Sequence, residues 1–169
     1  FYLDPPSPSR QYTQKITKMS LELANNYILR KEGSSIPYEI DQVNTLKHLV
    51  FHFKYLGSER YILTNEIIKH VNSGRAKPIT VHYFRSKVIA KLRDEGILIS
   101  SGFLGYKLPA NEADLYNFIN HNTAIIHPML SRIKKCRDQI RKATGQELDI
   151  LAPDEYHFVR KFFDVLEAL

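Results

Sequence analysis

The sequence of 169 residues has one cysteine, no tryptophan and seven glycines. A lone Cys136 cannot close an intrachain disulfide, which excludes a disulfide-stapled fold and predicts a reducing compartment, the cytoplasm. No stretch approaches the roughly 20 uninterrupted apolar residues of a spanning helix, so no membrane partner is expected. No signal peptide opens the chain. Phe1 in place of Met predicts a fragment of a longer protein. No Gly-x-Gly-x-x-Gly, phosphate-binding loop or Gly-x-Ser-x-Gly is present, and no enzyme activity or cofactor is expected of this chain.

What is there suffices for a packed core: 43% of residues are hydrophobic and 25% charged, which excludes wholesale disorder. The formal charge of +6 is unevenly spread. Residues 1–59 carry a net +1 and residues 109–169 a net −1, whereas residues 60–108 hold 9 basic and 3 acidic groups. The excess therefore marks the middle third as a surface for a polyanion.

Asp4-Pro5-Pro6-Ser7-Pro8 reads as a stiff linker. Apolar spacing predicts helices over 9–31, ended by Gly33-Ser34-Ser35 and Pro37, and over 43–57, stopped by Gly57. The second is apolar on nearly all sides and is expected to be buried throughout. A helix over 64–72 has Thr64 as its cap and Glu66 in its first turn. After a break at Asn72-Ser73-Gly74, Thr80 caps a helix over about 81–95 that stops at Gly96. Ile97-Leu98-Ile99 and Gly105-Tyr106-Lys107-Leu108 predict a hairpin across a Ser100-Ser101-Gly102 turn. Further helices are expected over 111–122, from Pro128 to Thr144, and after Pro153.

The run TVHYFRSKVIAKLRDEGILISS and the following GYKLP, with Leu92, Gly96, Ile97, Tyr106 and Leu108, resemble a winged helix-turn-helix domain over residues 43–109. The expected fold is mainly α with a small β-wing, flanked by a linker and helix over 1–42 and a helical extension over 110–169. The resemblance implies that the helix at 80–95 enters the major groove of double-stranded DNA. An apolar stripe of Val81, Phe84, Val88, Ile89 and Leu92 leaves Tyr83, Ser86, Lys87, Ala90 and Asp94 opposite, with His82 and Lys91 on the flanks. The nucleic-acid-binding candidates are Lys77, Thr80, His82, Tyr83, Ser86, Lys87 and, in the wing, Lys107. Arg75 and the hydroxyls of Ser100 and Ser101 are further phosphate candidates. Arg85 falls about 40° from Val81, inside the stripe, where the expectation is that it snorkels or pairs with an acid such as Glu66. A rotated helix that carries Arg85 to DNA is the other option.

More distantly, the run NFINHNTAIIHPMLSRIKKCRDQIRKATG resembles the C-terminal part of bacterial proteins with an N-terminal RNase H-like domain of unknown function. That resemblance implies an accessory module of a nuclease-type enzyme, with any carboxylate metal site upstream of Phe1. A protein-binding winged helix is a third reading. The stripe Met129, Leu130, Ile133, Cys136 or Arg137, and Ile140 either dimerises the chain through 128–144 or packs back on the first helix.

Other constellations are weaker. His48 and His52 share a helix face, but no third ligand is evident, so ordinary core or surface histidines are expected and no metal. Cys136 is expected to be a small core residue. The acids Asp149, Asp154 and Glu155 are explained by capping and solubility. Of the aromatics, Tyr83 alone is expected to be an exposed stacking group.

Overall fold

The computed structural model describes residues 10–103 and 105–167, so the expected linker at 4–8 and the apolar end at Leu169 lie outside them. The fold is mainly helical with one small two-stranded antiparallel sheet. The described residues fall into two compact units, 10–121 and 122–167, and helix α5 (Glu112–Ala143) runs through the division. Among the described residues no helix is long and apolar enough to cross a membrane.

In the first unit, α1 (Arg10–Lys31) and α2 (Pro37–Phe51) pack against each other. Pro37 opens α2 rather than merely ending what precedes it, since its missing N–H is not needed in the first turn. Buried Ala24 and Tyr27 of α1 meet Val43, Leu46 and Leu49 of α2 in one core. After Phe51 the helix widens into a π-helical segment, His52–Leu56. Phe53 stays buried, but Phe51, Tyr55 and Leu56 are exposed, so the expectation of burial on all sides fails at this end. Phe51 points outward at the end of the regular helix, and Tyr55 and Leu56 lie in the widened segment, whose angular step differs from that of an α-helix. Gly57, at φ 120°, then ends the helix as expected.

Helix α3 (Thr64–Asn72) buries Ile67, Ile68 and Val71. Leu63, not Thr64, holds the cap position, and no side chain caps this helix; Thr64 is already its first helical residue. The following turn is tied by Asn72 Oδ1, which accepts from the Ile79 N–H at 2.8 Å. Helix α4 begins at Val81–Tyr83, widens over Phe84–Ile89 and returns to α-helical form over Ala90–Asp94. Gly96, at φ 81°, lets the Ile97 N–H turn back to the Leu92 carbonyl at 3.0 Å, closing the helix.

The hairpin is displaced from its expected place. Strands β1 (Ser100–Gly102) and β2 (Gly105–Lys107) pair Ser100 with Lys107 and Ser101 with Tyr106. The Ser-Ser-Gly segment is thus strand, not turn, and Ile97 and Ile99 are buried before the ladder starts. Ile62 adds a bridge to Tyr106 on the other side of β2. The Ile62 carbonyl crosses so close to Gly105 that a Cβ there would lie 1.9 Å from its oxygen, and Gly105 adopts φ 125°. Only glycine fits.

Helix α5 is continuous where two helices were expected. Asn111 Oδ1 accepts from the Asp114 N–H at 3.0 Å, the predicted cap. Pro128 lies inside the helix rather than at its start. It removes the N–H that would serve the Ala124 carbonyl; both residues are exposed, so water can satisfy that carbonyl.

In the unit of residues 122–167, α6 (His157–Glu167) follows a single 3-10 turn at Asp154–Tyr156. Arg137, 2% exposed, forks onto Asp149 with bonds of 2.9 and 2.8 Å, and Arg141 joins at 3.1 Å. Arg137 therefore takes the inward position, and Cys136 is exposed instead of lying in the core. Asp149 serves this network rather than a helix cap. The Arg137 bond holds the Asp149 carboxyl well below its usual range. A lowered folded pKa contributes stability that is full above the unfolded value, about pH 4, and is lost as pH falls through the folded one. In urea unfolding, the advantage of wild type over Arg137→Met is expected to shrink steadily below about pH 4. An advantage that stays constant there contradicts the pairing.

Candidate nucleic-acid interface

Helix α4 is set by its cap and by a buried polar chain. Thr80 Oγ1 accepts from the Tyr83 N–H at 3.0 Å, as expected of a cap. Phe84, Val88, Ile89 and Leu92 are buried, while Val81 is 39% exposed. In the widened turn the Ala90 N–H reaches the Arg85 carbonyl, one residue further than in an α-helix. The Lys87 carbonyl accepts from Gln42 Nε2 at 2.9 Å, and Gln42 Oε1 in turn accepts from the Tyr27 hydroxyl. A buried glutamine on α2 thus satisfies backbone at the widened turn of α4.

The widening decides where Arg85 goes. The inward stripe shifts away from Val81, and Arg85 turns out with it: it is exposed and has no ion-pair partner among the described residues. Glu66 is not its partner, since that carboxylate lies 3.8 Å from His52 and 3.9 Å from Arg60. The pairing with Glu66 is therefore not made, and Arg85 lies exposed.

Tyr83 is not a free stacking group. It is half-buried and donates its hydroxyl to Asp41 Oδ2 at 2.8 Å. Asp41 is fully buried and also accepts Arg75 Nη1 on both oxygens, at 2.9 and 2.8 Å. The Arg75 guanidinium lies 5.7 Å from the Tyr83 ring centre, and its Nε donates to the Lys77 carbonyl. Burial, with the Asp41 carboxylate beside it, pushes the Tyr83 phenol up. Asp41, Arg75 and Tyr83 therefore lock the turn to the start of α4. The half-buried Ser86 donates to the His82 carbonyl at 2.9 Å, within its own helix.

The hairpin candidates face inward. Ser100 and Lys107 are cross-strand partners, so their side chains share a face, and both are buried against Asp114. Lys107 Nζ lies 2.6 Å from Asp114 Oδ2, and Ser100 Oγ donates to the Asp114 carbonyl at 2.8 Å. Ser101, 5% exposed, accepts from Arg93 at 3.1 Å, and Arg93 stacks 4.6 Å from the Phe118 ring centre. These groups hold the hairpin to the start of α5 and present no free cation.

Of the nine basic residues in 60–108, Arg75, Arg93 and Lys107 are thus structural, and Arg60 leans on Glu66. Lys69, Lys77, Arg85, Lys87 and Lys91 are exposed and without an ion pair among the described residues. Four of these five lie on α4 or in the turn before it, beside exposed Thr80 and His82. The acids Asp94 and Glu95 are confined to the far end of the helix.

Sequence reasoning missed Asp41 and Gln42, which lie just before the helix expected over 43–57. It also missed that α3 carries Glu66 and His70 up to the histidines of α2. His48 and His70 stack with ring centres 4.2 Å apart. Comparison with models of known families, with curated proteins and with solved structures gives no match.

Proposed function

We propose that residues 43–109 form a winged helix-turn-helix module that binds double-stranded DNA. The observation that carries this reading is the set of free cations on one element: Arg85, Lys87 and Lys91 on α4, with Lys77 just before it. The order α2, α3, turn, α4 and hairpin supports it, because that order delivers the third helix to a major groove. Base edges are then within reach of His82 and Arg85, and Lys77, Lys87 and Lys91 neutralise phosphates. The small Ala90 between them permits close approach. The hairpin acts as a brace for this helix, not as a second cationic contact.

Duplex affinity is therefore expected to fall linearly, on logarithmic axes, as salt rises from about 50 to about 200 mM, with a slope of roughly −3 to −4 for three to four phosphate contacts. Fluorescence anisotropy with a labelled duplex measures it. A slope near zero, or no binding at the lowest salt, overturns the reading.

A further inference from the structure

Helices α2 and α3 each bring a pair of metal-ligating residue types, four apart, to the surface they share: His48 and His52 from one, Glu66 and His70 from the other. One ligand atom from each of His48, His52 and Glu66 lies within 4.8 Å of the others. His52 Nε2 faces Glu66 Oε1 at 3.8 Å, too far for a hydrogen bond and suited to an ion between them. His48 Nε2 and His52 Nδ1 are buried atoms with no hydrogen-bond partner among the described residues. An unpaired buried polar atom is costly, and a metal ion would take the lone pair of His48 Nε2; His52, whose Nε2 faces Glu66, would then carry its proton on Nδ1. The stacked His70 ring holds the plane of His48.

From this geometry we infer that His48, His52 and Glu66 form a site for a zinc-type divalent transition metal that clamps α2 to α3. Two imidazoles and one carboxylate are the donor set that zinc and cobalt accept, and imidazole disfavours magnesium and calcium. Ligand atoms of a tetrahedral zinc centre stand about 3.4 Å apart, so small side-chain rotations close the triad. Arg60 approaches the other Glu66 oxygen, at 3.9 Å, and leaves Oε1 facing the histidines. The clamp lies immediately before the turn that leads to α4. It is independent of the DNA reading: failure of either leaves the other standing.

The test uses the chain stripped of metal by chelator. Calorimetric titration with ZnCl2 is expected to show one zinc per chain and a rise in Tm, and CoCl2 the visible absorption of a four-coordinate centre. MgCl2 should do neither. Glu66→Gln, on a half-exposed carboxylate, should weaken zinc by about tenfold or more while the metal-free Tm stays put. Cys136→Ser, which removes the exposed thiol, should bind as wild type does. The site is overturned if wild type binds neither zinc nor cobalt. It is equally overturned if Glu66→Gln and His48→Asn both bind zinc undiminished, or if Cys136→Ser abolishes binding.

Discussion

Arg75→Met is expected to destabilise the protein by about 3–5 kcal/mol, because it strands the fully buried carboxylate of Asp41. Arg75 is the only cation within salt-bridge distance of Asp41 among the described residues, and it serves both oxygens. The Tyr83 hydroxyl that remains supplies one hydrogen bond and no charge. Removing the partner of a buried ion costs far more than the pair contributes net, since the survivor's desolvation is no longer offset. Asp41→Asn in the Arg75→Met background removes the stranded charge and should recover much of the loss, a coupling that a double-mutant cycle reads directly. Urea unfolding followed by circular dichroism measures each variant. A loss below about 1 kcal/mol for Arg75→Met contradicts the assignment of Arg75 to the fold.

The triple variant Arg85→Ala, Lys87→Ala, Lys91→Ala is expected to bind duplex DNA on the order of 10²–10³-fold more weakly near 0.1 M salt. Each phosphate contact contributes about 0.9 to the logarithmic salt slope, so loss of the Lys87 and Lys91 contacts should flatten the slope by about two. Stability should change by no more than about 0.5 kcal/mol, because the three side chains are exposed and have no ion pair among the described residues. Arg75→Met and the triple variant thus separate two kinds of positive charge that composition alone counts alike.

That separation marks how far the sequence could be read. The caps at Thr80 and Asn111, the stop at Gly96 and the helix order from α2 to α4 were legible, because each rests on local chemistry. The widened turns at His52–Leu56 and Phe84–Ile89 were not. They alter the helical period without a residue that announces it, and a fixed 100° step therefore misplaced Arg85. Lys107 was misread for a different reason. Its burial depends on strand register and on Asp114 arriving from α5, a contact seven residues away that no local pattern specifies. Cys136 and Arg137 are neighbours on one stripe, and tertiary pairing with Asp149 decided which of them turned in. The histidine pair on α2 was legible as a pair, but its third ligand comes from another helix.

The most direct measurement of the proposed interface is an amide NMR titration of the chain with a short duplex at low salt. An interface on α4 predicts shift changes concentrated at Lys77 and along Thr80–Lys91, with small effects at the hairpin residues Ser100, Ser101 and Lys107. Shifts centred instead on residues 122–167, or a spectrum that the duplex leaves unchanged, would contradict DNA binding through this helix.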